Sequence, residues 1–361
     1  MERRLKDLDN GNGTTKIVFK FGGKSLSDGG QARQLAEKVF LELEAGRQPV
    51  IVVSAVGNTT DMLIQYCCKA CGENISRKDL DEVIAMGERT SARLFTTVLK
   101  AQGVNAKFLD PSDSDWPIIT DDCFGDANPM EGECLPRIRS KLEKLFKENV
   151  VPVIPGFVGK TLRGEITTLG RGGSDTTAFL VAKAIGACEV VIVTDVAGVL
   201  SADPKVVPDP KIIEEINAEK LANLCDVGAK FIHTKSLKFL DGSFKVRITS
   251  YKCRILSEGG TVVQGSAPKS NVYEGNLPIA CITMVAEKPS KIWDNIPRVL
   301  EVVKRYGISI LTLSADTNSL KLYVQEVDAE KAARALHSEL VYDGRSGFLA
   351  LALKREMNKV P

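Results

Sequence analysis

A chain of 361 residues with 43% hydrophobic content is long for one domain and has ample apolar material for two packed cores. Lysine plus arginine total 48 against 46 aspartate plus glutamate, and the resulting net charge of +2 argues against nucleic-acid or membrane binding through bulk charge. Nine cysteines without regular spacing point to reduced thiols, and two histidines, His233 and His337, are too few for a histidine-based triad or metal cluster.

Residues 1–15 read as a charged leader that lacks the apolar core of a signal peptide, and no stretch of the chain reaches transmembrane length, so the expected site is the cytoplasm. Lys16–Phe21 is a β-branched and aromatic run ended by Gly22-Gly23, and Gln31–Leu43 follows with helical spacing of Leu35, Val39 and Leu43. Gly23-Lys24-Ser25 has the look of a P-loop end, but Val18 stands where that motif needs its first glycine, which excludes a Walker A site. Lys20, at the carboxyl end of the strand, is the more informative cation.

A second buried strand, Val50–Ala55, runs through Gly57-Asn58-Thr59-Thr60-Asp61 into another helix. Cys67, Cys68 and Cys71 fall in that helix, and with no second pair at zinc spacing they read as helix thiols rather than a metal or redox site. Asp79–Gln102 is a long helical segment containing Met86-Gly87-Glu88-Arg89. Strand-like Ala106–Leu109 and Pro117–Thr120 follow, then a charged helix over Leu135–Glu148 and the apolar strand Val150–Ile154, which ends at Pro155-Gly156-Phe157.

Strand-like Glu165–Leu169 leads into Gly170-Arg171-Gly172-Gly173-Ser174-Asp175, with Ser174 or Asp175 a natural N-cap and Ala178–Ile185 the helix beyond. Backbone N–H groups bared by glycines at a helix start can cradle an anion. The stretch also carries a cation and a carboxylate, which a turn that only reverses the chain does not need. A plain strand-to-helix connection, with a solvated Arg171 and a capping Asp175, fits this stretch alone equally well. Glu189–Val196 is the most strongly β-patterned run, passing through Thr194-Asp195 before Ser201-Ala202-Asp203-Pro204-Lys205.

Strands alternating with helices, with polar and glycine residues gathered just after the strands, predict a three-layer α/β fold on a mainly parallel sheet whose site lies at the strands' carboxyl ends. The pattern changes at Ile279 to strand, helix, strand, strand, helix, strand, a ferredoxin-like βαββαβ unit. The expected division is a leader over 1–15, a catalytic domain over 16–270 and a small C-terminal domain over 271–361.

Taken together and in order, Lys20-Phe21-Gly22-Gly23, Val52-Val53-Ser54-Ala55, Gly87-Glu88-Arg89, Pro155-Gly156-Phe157, Thr168–Asp175, Val193-Thr194-Asp195-Val196, Asp203-Pro204-Lys205 and Gly228-Ala229-Lys230 resemble aspartate kinase across the whole first domain. The resemblance implies the amino-acid kinase fold and transfer of the ATP γ-phosphoryl, with Mg²⁺, to the side-chain carboxylate of L-aspartate. The product would be 4-phospho-L-aspartate, the first intermediate toward lysine, threonine and methionine. It implies Lys20 and Asp175 as the catalytic pair, and Thr60, Glu88 and Arg171 at the aspartate, with Ser54, Gly172, Gly173 and Ser174 beside them. Lys20, Gly22, Gly23, Thr194, Asp195, Leu200, Lys205 and Lys230 fall at its nucleotide positions, and no residue is given to a metal.

The second domain looks like a single ACT domain where most of the family carries two, and a homodimer or larger homo-oligomer is implied. The loop Glu287-Lys288-Pro289-Ser290 lacks glycine where the family holds its effector, so weak or absent inhibition by lysine and threonine is expected. Lys24 stands in place of the family's threonine, Leu200 in place of a nucleotide-facing tyrosine, and Lys205 where arginine is common. Sibling kinases acting on acetylglutamate, glutamate or uridylate, and a catalytically silent amino-acid sensor, are the alternatives. The charges of Glu88 and Arg171 speak for aspartate, and the retained Lys20 and Asp175 speak against the sensor.

Overall fold

The computed structural model describes residues 15–202, 207, 209–221, 232, 234–266, 278–341 and 348–356. The chain divides into two compact units, Met1–Lys269 and Ser270–Pro361.

The first unit is built on an eight-stranded sheet in the order β3-β4-β2-β1-β7-β9-β10-β8. Its strands are β1 (Thr15–Phe21), β2 (Arg47–Val53), β3 (Ala106–Phe108), β4 (Val151–Pro155), β7 (Glu189–Thr194), β8 (Glu215–Asn217), β9 (Lys245–Ser250) and β10 (Thr261–Gln264). A separate two-stranded hairpin joins β5 (Val158–Lys160) to β6 (Ile166–Thr168). From β3 to β9 all pairings are parallel; β10 pairs antiparallel with β9, and β8 at the edge runs parallel to β10.

Central parallel strands are covered on both faces, so they read as near-continuous apolar runs, and successive residues still alternate between the faces. Val18, Val50, Val52, Ile154, Val190 and Ile192 pack with Ile138 and Leu142 of α4 (Glu131–Lys147) and Phe179 and Leu180 of α5 (Gly173–Ile185). Ile17, Phe19, Phe21, Ile51, Val53, Val191 and Val193 pack on the opposite face with Leu35 and Val39 of α1 (Gly29–Glu44) and Ala92, Phe95 and Leu99 of α3 (Arg77–Ala101). A further helix, α2 (Thr59–Cys71), lies between β2 and α3 in the chain. The three-layer expectation is met.

The order also fixes where a ligand can enter. After β1 the chain builds β2 and β4 to one side; after β7 it builds β9 to the other. Neighbouring parallel strands whose connections diverge leave a crevice beyond their carboxyl ends. Here that crevice lies between β1 and β7.

The second unit carries β11 (Ile279–Ala286), α6 (Pro289–Arg305), β12 (Ile310–Ala315), β13 (Ser319–Gln325), α7 (Glu326–Leu336) and β14 (Phe348–Glu356). Its antiparallel sheet runs β12-β13-β11-β14, the order of a ferredoxin-like βαββαβ unit. Ile282, Leu322 and Val324 pack there with Val299 of α6 and Leu336 of α7.

Two expectations need correction and a third is refined. Pro117–Thr120 is not a strand: Ile119 and Thr120 make single bridges, to Lys160 and Pro129, and the apolar run reflects burial of Trp116, Ile118 and Ile119 beneath α4. The strand expected before the glycine-rich stretch is present as β6, and only its place, in the β5–β6 hairpin outside the main sheet, was not anticipated. Neither Ser174 nor Asp175 caps α5: the N-cap is Gly172, with a left-handed φ of 76°, and both residues lie inside the first turn.

Candidate active site

Lys20 follows from the strand register. It shares with Val18 the face of β1 that α5 covers, two residues further toward the carboxyl end, so its ammonium emerges at the start of that helix. There Nζ lies 2.8 Å from Oδ1 of Asp175, with the two side chains 14% and 8% exposed. Asp175 sits in the first turn of α5, where the positive end of the helix dipole favours a carboxylate. The Gly173 amide donates to Gly170 O and the Thr176 amide to Gly172 O, which leaves the Ser174 and Asp175 amides in the first turn without a partner among the described residues. This helix start therefore holds a carboxylate, its lysine and two spare N–H donors.

Glu88 comes from the other side of the sheet, on α3. It is 4% exposed; Oε1 accepts the Ala55 amide at 3.1 Å, and Oε2 has no hydrogen-bond partner among the described residues. Burial pushes the carboxyl up to about 7, against the Ala55 hydrogen bond and the charge of Lys20, which favour ionisation. The preceding Gly87 is what permits this approach: a Cβ there would come within 2.9 Å of Ala55 Cβ, close to Thr60 Oγ1 at 3.8 Å. Ser54 continues β2, its amide donating to Phe21 O at 3.0 Å, and both Ser54 and Thr60 are half-buried.

At the β1–β7 crevice, the Gly22 amide donates to Val193 O at 3.2 Å, the Gly57 amide donates to Gly23 O at 3.1 Å, and Ser25 Oγ donates to Val193 O at 3.0 Å. Lys24 reaches across to Asp195 at 2.8 Å, and Thr194 Oγ1 donates to the other Asp195 oxygen at 3.0 Å. The hydrogen-bonded Lys24 ammonium holds the Asp195 carboxyl below the usual carboxylate range, and Lys24 is raised in return. Leu200 is half-buried and bridges Ile212. Lys205 and Lys230 lie outside the described residues.

Arg171 is exposed and makes no ion pair or hydrogen bond among the described residues, between a half-buried Gly172 and Gly170. Gly173 and Ser174 are buried, Ser174 packing against Gly156 so closely that a Cβ on the latter would fall 2.7 Å from Ser174 Cβ. Lys20, Asp175, Glu88, Ser54 and the two glycines thus collect at one end of one sheet, and Lys24 with Asp195 marks the crevice beside them. No group of three or more His, Cys, Asp or Glu side chains suited to a metal occurs among the described residues.

Sequence reasoning passed over Asp81, which helps to hold this edge in place. Asp81, 1% exposed on α3, accepts from the amides of Thr168 and Gly125 at 2.9 Å each and from Thr168 Oγ1 at 2.7 Å. Its signal was available, since a position seven residues before Glu88 lies on the same helix face. Phe157, with a φ of 68°, takes a left-handed conformation directly against Gly173.

Residues 15–250 match the amino acid kinase family. The chain belongs to that family. An aspartokinase of Bacillus sp. (strain MGA3) is 34% identical to this amino acid kinase over 356 residues, covering 93% of the chain and 82% of that protein, which places it among the aspartokinases. Aspartokinases of Geobacillus stearothermophilus and Thermus thermophilus are 33% and 38% identical over 250 and 224 residues, 69% and 62% of the chain. The chain spans only 58% and 53% of the length of those two relatives. Among solved structures, aspartate kinase from Synechocystis superposes with a TM-score of 0.69 at 22% identity, covering 94% of this chain and 58% of that one. E. coli aspartokinase III, solved in complex with aspartate and ADP, superposes with a TM-score of 0.60 at 23% identity, covering 94% and 85%. At that identity the likeness speaks for the fold. No helix among the described residues is long and apolar enough to cross a membrane.

Proposed function

We propose that this kinase transfers the γ-phosphoryl group of ATP to the side-chain carboxylate of L-aspartate, giving 4-phospho-L-aspartate. The observation that carries the reading is the Lys20–Asp175 pair at the start of α5 with a buried, half-satisfied Glu88 close enough to feel the Lys20 charge. A substrate carboxylate is its own nucleophile, so the protein must align two anions and neutralise charge rather than supply an attacking group.

Each residue has a part in that reading. Lys20 balances charge on the transferring phosphoryl group, and Asp175 orients Lys20. The spare amides of Ser174 and Asp175 face phosphate oxygens, and the turn at Gly22 and Gly23 lies beside them. Glu88 Oε2 takes the α-ammonium of aspartate, and Arg171 grips its α-carboxylate through two parallel hydrogen bonds. Ser54 and Thr60 supply hydroxyls, and Thr194, Asp195 and Leu200 line the nucleotide, with Lys205 and Lys230 completing that side. Mg²⁺ would come with the nucleotide; an ion of this kind commonly retains phosphate and water ligands and needs only one or two protein carboxylates, which Asp175 and Asp195 would supply. When bound, it neutralises phosphate charge. A cytoplasmic setting belongs to the same reading.

The unpaired Glu88 oxygen favours a substrate with a free ammonium over an N-acylated amino acid or a nucleotide acceptor. A coupled ADP-release assay across aspartate, N-acetylglutamate, glutamate and UMP tests the proposal. Turnover with aspartate alone is expected, and turnover with any other acceptor at a comparable kcat/KM overturns it.

A further inference from the structure

Arg171 hangs from a backbone that is tied down on several sides. Thr168 is held by Asp81 and gives its carbonyl to the Ala127 amide at 2.9 Å. Gly170, with a φ of 69°, lies so tightly under Asp126 that a Cβ there would stand 2.0 Å from Asp126 Oδ1. Leu169, between them, is fastened by a side chain distant in sequence. Lys235, in a single helical turn over Thr234–Leu237, donates from Nζ to Leu169 O at 2.9 Å, to Asp126 Oδ1 at 2.5 Å and to Ala127 O at 3.3 Å, with Asp126 O at 3.4 Å.

The arrangement suits an ammonium. A lysine head is compact, carries three donors and can point them at oxygens converging from different segments, which a planar guanidinium cannot do. Lys235 is 18% exposed while Asp126 is 72% exposed, so the ion pair is screened by solvent and the carbonyl contacts are the part that binds one loop to the other. An exposed arginine on a long side chain can reach a substrate reproducibly only if its Cα is fixed, and misplacement by about 1 Å can cost a hundredfold in rate.

We propose that Lys235 is a positioning residue for the acceptor substrate: by clamping Leu169 O to the 126–127 segment it fixes the backbone from which Arg171 presents its guanidinium. This rests on the reading of Arg171 as the ligand of the aspartate α-carboxylate. Lys235 itself touches no substrate.

The test is a cycle of Lys235→Met and Arg171→Ala, with KM measured separately for aspartate and ATP, and hydrogen exchange at the amides of residues 169–172. Lys235→Met is expected to raise KM for aspartate about tenfold or more, to leave KM for ATP within about twofold, and to add less than about twofold in the Arg171→Ala background. Exchange at 169–172 should quicken. Additive effects in the cycle, an equal rise in both KM values, or unchanged exchange overturns the proposal. Should Lys235→Met not fold, Lys235→Gln, which keeps one donor, is expected to show the same pattern at smaller amplitude. If the wild type does not phosphorylate aspartate, the functional reading fails while exchange in the variant still decides whether Lys235 holds this backbone.

Discussion

Nζ of Lys20 and Oδ1 of Asp175, 2.8 Å apart, join the carboxyl end of the central strand to the first turn of α5. The contact ties the strand that faces the crevice to the helix start that offers free N–H donors. Neither element alone sets an ordered cation beside a helix start; joined, they do.

Removing either partner should therefore stop the chemistry. Lys20→Ala and Asp175→Asn are each expected to lower kcat by a factor of a hundred or more, about 3 kcal/mol, the scale of electrostatic groups at a reacting centre. Because the pair is largely buried, each variant also strands its partner, and melting by circular dichroism should show a loss of stability in both. Wild-type turnover in a folded variant would remove the pair from the mechanism.

Arg171 tests the acceptor side. Arg171→Lys keeps the charge and loses the two-pronged grip on a carboxylate, so KM for aspartate is expected to rise about tenfold while KM for ATP stays near the wild-type value. Steady-state kinetics with each substrate varied in turn gives the answer. Parallel rises in both would place Arg171 on the phosphates instead.

Much of the frame was legible from the chain. The apolar runs of β1, β2, β4 and β7 are long because strands buried on both faces need no polar alternation, and the glycines and polar residues after them mark the carboxyl edge. What misled was local pattern without its tertiary partner. Pro117 to Thr120 are buried in a loop and looked like a strand, and the helix after Arg171 begins on a left-handed glycine rather than on the polar cap its sequence offers. Lys235 and Asp126 carry no local signal, because the three carbonyls that Lys235 gathers come from segments far from it in the chain.

Assembly can be tested independently of activity. The sheet of the second unit ends on β12 and β14, and open strand edges are covered in stable proteins. A homodimer is expected in light scattering at micromolar concentration. A monomer there refutes it.

If Glu88 takes the aspartate ammonium as proposed, aspartate binding should depend on pH. With its carboxyl raised to about 7, the empty site holds a proton below neutrality that must leave before an ammonium can pair with Oε2. KM for aspartate is expected to fall about tenfold between pH 6 and pH 8 as the ionised fraction rises, and the slope should vanish in Glu88→Gln. Burial raises the Glu88 carboxyl against the opposing pull of the nearby Lys20 charge, so the midpoint should fall near pH 7. A flat profile in the wild type would take Glu88 away from the ammonium.

The same carboxyl should cost stability in the absence of substrate. A carboxyl raised from 4.5 to about 7 by folding is bound more tightly to its proton in the folded state. Its stabilising contribution is thus fully present below pH 4.5 and is lost as pH rises through about 7, when a charge must sit buried with one oxygen unpaired. The loss is on the order of 3 kcal/mol for a shift of this size. Glu88→Gln carries no charge, its amide oxygen can still accept the Ala55 N–H, and its amide nitrogen takes over a position that already lacked a partner. The variant and the wild type should therefore melt together near pH 5, and by pH 8.5 the ligand-free variant should melt several degrees higher. Saturating aspartate should close that gap for the wild type alone, since a ligand that binds only the folded form stabilises it in proportion to its affinity. Scanning calorimetry at the two pH values, with and without aspartate, decides the matter: a variant that melts lower than the wild type at pH 8.5 without ligand would mean that Glu88 holds the fold together rather than waiting for a substrate.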